Sequence, residues 1–126
     1  MTGLKDAVLE GDPSKAGPWA VRVSAPGGTK FPVHYHPDTE RVTVISGTFM
    51  AGIVTKFDAS QMVALPAGSY CVLPTVLLHY ATATGTTVLH ISGTKPSRLK
   101  MAKPRSYRSH LLAGACVRSS LRFCCL

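Results

Sequence analysis

Residues 34–40 read "HYHPDTE", and the spacing of their polar side chains decides how the rest of the chain is read. The chain holds five histidines and, in Glu10 and Glu40, two glutamates. On an extended strand residues i and i+2 share a face, so His34 and His36 converge while Tyr35 points to the other side. "PDT" is a tight reversal, and Glu40 opens the next strand. Counting by two from Glu40, Val42, Val44 and Ser46 share its face, which turns Glu40 inward beside a mostly apolar row and leaves Arg41 outside. Two imidazoles and a carboxylate then face one interior from neighbouring strands. That donor set suits a divalent metal held at about 2.0–2.2 Å from each ligand atom. His79, in strand-like "LLHYA", is the candidate fourth ligand. Without a cation the same residues would be interior histidines bonded to neighbours and an acid paired with one of them, at a high desolvation cost.

Outward from this stretch, strand signals dominate. "WAVRVSAP" alternates, with Trp19, Val21 and Val23 on one face and Ala20, Arg22 and Ser24 on the other. "RVTVISG" and "TFMAGIV" are two strands hinged at Gly47, and "KFDASQM" is a loop. "VALPAGSYCVLP", "LLHYATAT" and "TVLHISGT" continue a series of short strands separated by Gly- and Pro-bearing turns, as in a β-sandwich or barrel. No helical stripe of useful length precedes residue 95. Trp19, Tyr35 and Phe49 are expected to cover an outer face, and Tyr80 to lie at the sheet exterior or a dimer contact. Val42, Val44, Val72 and Leu89 are expected to wall the interior, with Met50 and Met62 adding to it. His90 reads as a core or edge histidine, with a place beside the metal ligands as the alternative.

Bulk properties divide the chain. Its 126 residues are 45% hydrophobic and 16% charged, which suits one compact unit and argues against wholesale disorder. The net charge of +8 is not spread evenly: six bases balance six acids through residue 94, and the remaining eight bases follow Gly93 with no acid among them. The chain therefore reads as an N-terminal segment (1–17), a β-barrel (18–94) and a basic, cysteine-containing tail (95–126). The tail's composition suits a shifted reading frame or a non-native extension, with a nucleic-acid arm as the functional alternative. Cys71 reads as a buried small hydrophobe. Cys116, Cys124 and Cys125 match no zinc spacing and no disulfide framework. No apolar run reaches the length of about 18 residues that a membrane helix needs. The N-terminus carries acids and lacks an apolar leader core, so a cytoplasmic protein is expected.

With these motifs in place, residues 18–94 resemble the cupin superfamily. Gly28, "TKFPV", His34, Tyr35, His36, "PDT", Glu40, "RVTVIS" and Gly47 follow the family's first motif without a gap. Gly68, "SYCVL", Pro74 and His79 follow the second, with Val76 where glycine is usual and Ala83 where asparagine is usual. Val76 implies an altered or strained turn. The resemblance implies an all-β fold, an antiparallel jelly-roll barrel or double-stranded β-helix of about six to eight strands with a metal inside. It assigns His34, His36, Glu40 and His79 to one divalent transition metal (Fe, Mn, Ni, Cu, Co or Zn). Two positions of an octahedral ion would stay open for water, a bidentate substrate or dioxygen. It also gives Glu40 a second role as a catalytic base.

Cupins host many activities, so the fold alone does not choose among them. The first expectation is a metal-dependent dioxygenase-type enzyme acting on a small bidentate organic molecule in an apolar pocket. The second is a non-catalytic metal-binding or ligand-sensing module. A nucleic-acid binder using the tail ranks third, and a phosphate- or sugar-nucleotide-binding enzyme is disfavoured because few basic residues face the interior. Exposed strand edges make a homodimer the expected assembly.

Overall fold

The computed structural model describes residues 2–53 and 58–101. Most of the basic tail, with His110 and the three tail cysteines, lies outside the described residues. Among the described residues there are eight strands and one short 3-10 turn: β1 (Lys5–Glu10), β2 (Trp19–Ala25), β3 (Lys30–Tyr35), β4 (Glu40–Gly52), β5 (Val63–Pro66), β6 (Tyr70–Leu73), β7 (His79–Gly93) and β8 (Lys100–Met101). All pairings are antiparallel. None of the described helices is long and apolar enough to cross a membrane.

The architecture rests on two long strands. β4 and β7 pair along most of their length, from Arg41 opposite Ser92 to Gly52 opposite Tyr80. The first half of β4 also pairs with β6, and the second half with β5. The first half of β7 takes β3 as its other neighbour, and the second half takes β2. One layer thus runs β1-β2-β7-β4-β6 and the other β8-β3-β7-β4-β5. The two long strands pass from one layer into the other, which is a double-stranded β-helix.

Each crossing needs a bend, and the sequence supplies it with glycine. Gly47 in β4 and Gly85 in β7 have φ of +78° and +67°, a region that costs a residue with a Cβ. A Cβ on Gly47 would stand 2.4 Å from the Thr86 carbonyl oxygen, so the close approach excludes any other residue there. The ladder shifts register around Ser46, beside this bend. The hinge expected at Gly47 is therefore a kink within one continuous strand, and "LLHYATAT" and "TVLHISGT" likewise join into β7.

The core lies between the layers. Val23, Val42, Val44, Leu65, Cys71, Leu73, Ala81 and Leu89 are buried together, with Phe31, Leu77 and Ile91 packed against them. On β6, Cys71 is buried as expected, together with Leu73, whereas Val72 is 46% exposed and does not wall the interior. Phe49 also faces inward, edge-on to Phe31 with ring centroids 5.8 Å apart. Trp19 is buried, and its indole nitrogen donates to the Lys95 carbonyl at 2.7 Å. Tyr80 is fully buried under Gly52 and donates its hydroxyl to the Asp58 carbonyl at 2.8 Å. Phe49 thus joins the interior and covers no outer face, whereas Tyr80 lies on the face of β7 opposite to that of His79 and Ala81, buried under Gly52 and Asp58, and Trp19 is buried beside Gly93 and Asp38. Each combines a large apolar surface with a local bend or a bonded polar tip, and alternation cannot reveal either.

Candidate metal centre

His34 stands near the end of β3, and His36 follows where the strand gives way to the turn. Both are buried, and so are Glu40 at the start of β4 and His79 at the start of β7. β3 pairs with β7 so that His34 lies directly opposite His79, after a register shift behind Phe31. Every pair of the three rings falls within 5.2 Å, centroid to centroid. One ligand atom from each histidine lies within 4.8 Å of the others.

Two of the rings are oriented by the backbone. His34 Nδ1 lies 2.6 Å from the Pro32 carbonyl, and His79 Nδ1 lies 2.9 Å from the Leu77 carbonyl. A carbonyl only accepts, so each Nδ1 carries the proton and each Nε2 keeps a lone pair. Ligand histidines are commonly fixed this way. His36 differs: its Nδ1 is 3.2 Å from Glu40 Oε1, yet the angle makes no hydrogen bond and this buried nitrogen is left without one. Glu40 joins the cluster through His36 alone and stands outside the three-histidine group.

The electrostatics suit a cation. Burial, aided by the neighbouring His34 ring, pushes His36 down to about 4 and His79 down to about 3. Burial also lowers His34, against the bond to Pro32. All three are neutral at pH 7, as ligands must be. Burial, then the charge of Asp38, lifts Glu40 to about 7 against a hydrogen bond from Ser97. Crowded neutral imidazoles, an orphaned buried nitrogen and an acid denied its charge all gain from a divalent ion. The donor set fits the transition metals that the sequence suggests.

Each candidate ligand depends on its turn. Asp38, which the sequence reading passed over as part of "PDT", is buried and binds three backbone amides: Thr39 at 2.8 Å, Thr94 at 2.5 Å and Lys95 at 2.7 Å. Burial alone would raise its carboxyl, but those amides, with Lys95's charge, hold it below the usual carboxylate range. Before His79, Val76 adopts φ +58°, the conformation for which glycine is usual, and donates its amide to the His36 carbonyl at 2.9 Å. Valine has taken the glycine's backbone without its ease, and His79 still faces the cluster. Ala83 is buried on β7 opposite Phe49, away from the cluster.

The cluster opens into a cavity of about 170 Å³. Val23, Val42, Phe31, Phe49, Leu89 and Ile91 supply much of its wall, and no lysine or arginine lines it among the described residues. Val42 and Leu89 are where the sequence puts them. Met50 and Met62 are only half-buried and do not reach it, nor does His90, which sits on the outer face between Arg22 and Thr43.

A double-stranded β-helix carrying inward histidines on two paired strands defines a class of small-barrel proteins. The chain belongs to the cupin family, whose model matches residues 14–106. The germin-like protein 5-1 of Oryza sativa subsp. japonica is 38% identical over 84 residues, which cover 64% of this chain and 33% of that protein. The chain spans about a third of the length of this curated relative. Among solved structures, an RmlC-like cupin from Shewanella frigidimarina superposes with a TM-score of 0.62 at 23% identity, covering 76% of this chain and 78% of that one. The polyketide cyclase RemF from Streptomyces resistomycificus gives 0.65 at 12% identity, covering 87% and 80%. The DMSP lyase DddQ from Ruegeria pomeroyi gives 0.65 at 17% identity, covering 80% and 52%. At these identities the likeness to the solved structures is one of fold.

Proposed function

We propose that His34, His36, His79 and Glu40 hold one divalent transition metal, and that the protein is a metal-dependent oxygenase acting on a small bidentate organic substrate. The observation that carries the metal assignment is the pair of carbonyl-fixed rings, His34 and His79, each left with a free Nε2, in a three-histidine cluster whose ligand atoms lie within 4.8 Å of one another and whose His36 has an unpaired nitrogen. A metal bound there supplies Lewis acidity and, if redox-active, a means of activating dioxygen. The chain's own residues supply the rest. Apolar walls exclude water, and the Phe31–Phe49 pair offers an aromatic surface to a flat substrate. Glu40, lifted towards neutrality, is suited to take a proton from an acidic carbon or hydroxyl near His36. With no lysine or arginine in the described lining, an enediol, diketone or catechol fits better than a phosphate or polycarboxylate.

The test is dioxygen uptake by metal-loaded protein with a short panel of β-diketones and catechols. Turnover that disappears in His79→Ala supports the reading. Absence of uptake with every redox metal favours the second reading, a non-catalytic metal-binding or sensing module. That alternative also draws on the scarcity of polar groups in the wall to orient a substrate.

A homodimer is part of the same proposal. Ile45, Tyr70 and Val72 are 40–46% exposed on the outer side of the β1-β2-β7-β4-β6 layer, where a second copy would cover them. Light scattering should return twice the 13.4 kDa chain mass, and a monomer at all concentrations would remove the dimer.

A further inference from the structure

After β7 ends at Gly93, the chain turns back over the open end of the cavity. Its first residues are firmly held. The amides of Thr94 and Lys95 donate to Asp38, the Lys95 carbonyl accepts from Trp19, and the Ser97 amide donates to the Pro13 carbonyl at 2.7 Å. Gly93 lets this happen, because a Cβ there would stand 2.5 Å from the Trp19 ring and 2.7 Å from Asp38 Oδ2. Next, Ser97 comes close enough to Glu40, and the Arg98 backbone close enough to the His36 ring, to shift how each titrates. Leu99 reaches into the cavity wall, and Lys100 and Met101 pair with Tyr35 and His34 as β8.

The far end is held far more weakly than the near end. Residues 97–101 are exposed, Leu99 by 43% and Met101 by 52%, and among the described residues β8 makes two register pairs with β3. Segments with few buried apolar contacts and exposed ladder bonds open at low free-energy cost. The cavity beneath is apolar and little larger than sites of about 150 Å³ known to take up benzene.

We propose that residues 94–101 are the gate of this cavity: Asp38 is the latch at the fixed end, β8 peels from β3 at the moving end, and Leu99 is the side chain that closes the opening. Small apolar ligands then pass between Leu99 and β3, at a rate set by the release of β8. The gate stands on the cavity and its cover alone, so it holds or fails independently of any metal.

The test uses the full chain, metal-free, with benzene as the probe and methyl NMR as the readout. Leu99→Ala and Lys100→Pro, which places a proline within β8, should each speed benzene exchange about tenfold or more while leaving the Val42 and Leu89 methyl shifts of the free protein in place. Val8→Ala, on the distant strand β1, should leave the exchange rate unchanged. Benzene uptake by the variants alone would also support the gate, as a cover that stays shut in the wild type. Equal exchange in wild type and Leu99→Ala, or binding by neither, would overturn it. Wild-type hydrogen exchange checks the polarity without any substitution: the amides of residues 99–101 should exchange about tenfold or more faster than those of Thr94 and Lys95. Uniform exchange along the segment would contradict the latch and hinge.

Discussion

The turn at residues 36–39 and the turn at residues 74–78 both deliver buried histidines to one cavity, but the first is bonded outward to another segment and the second is bent upon itself. In the first, Asp38 gathers three amides and ties the His36–Glu40 corner to the chain leaving β7. In the second, the Leu77 amide closes back on the Pro74 carbonyl at 3.1 Å, and Val76 sits at positive φ. Two contacts join the turns, Val76 to the His36 carbonyl and Thr39 to Thr75 across 3.2 Å. The difference shows two routes to one end. An inward histidine is held either by a charge that neighbouring amides satisfy, or by a backbone strain that the surrounding barrel tolerates.

The largest expected effect comes from removing a ligand at either turn. His36→Ala and His79→Ala should each weaken metal binding by at least about 100-fold, since disturbing a ligand's supporting partner alone costs about 10–100-fold. Competition with a chelator at pH 7.5 reads this directly. Equal loss from both would show that the two turns serve one ion, whereas an unaffected His79→Ala would leave the second turn out of the site.

Asp38→Asn breaks the first turn without touching a ligand. It replaces the charge that three amides share, and should cost about 2–3 kcal/mol in urea unfolding. Stability within about 0.5 kcal/mol of wild type would show that the tie is not what holds this corner.

Acid should act through the first turn. Below about pH 7 Glu40 is protonated in the metal-free protein, and binding must displace that proton. Affinity should then fall by about tenfold per pH unit from pH 7 towards pH 4, where the histidines begin to compete. Metal titration across that range should show the slope, and Glu40→Gln should flatten it.

The smallest effect lies at the second turn. Val76→Gly relieves the positive φ at an exposed site and should raise stability by about 1 kcal/mol, offset in part by glycine's greater freedom when unfolded. A thermal midpoint lower than wild type would mean that the valine side chain contributes packing the turn needs.

The period-two pattern carried the barrel and the inward direction of His34, His36, Glu40, Val42 and Val44, because one face of each strand must be buried. It failed where the fold is not periodic. Strand β6 starts after a turn whose phase no alternation fixes, so Val72 was assigned to the wrong face. Phe49 lies beyond the Gly47 kink and its register shift, which reverses what simple counting gives. The work of Asp38 was illegible because its partners are backbone amides more than 50 residues away. Val76 was legible only as a departure from a motif, and its positive φ explains how the departure is absorbed.

The central claim is that the histidine cluster exists to hold a metal. Elemental analysis of the chain purified without added metal, beside a His36→Ala control of equal fold content, tests it most directly. About one equivalent of a transition metal is expected in the wild type and little in the control. A folded wild type that stays empty after exposure to Mn, Fe, Co, Ni, Cu and Zn would contradict it.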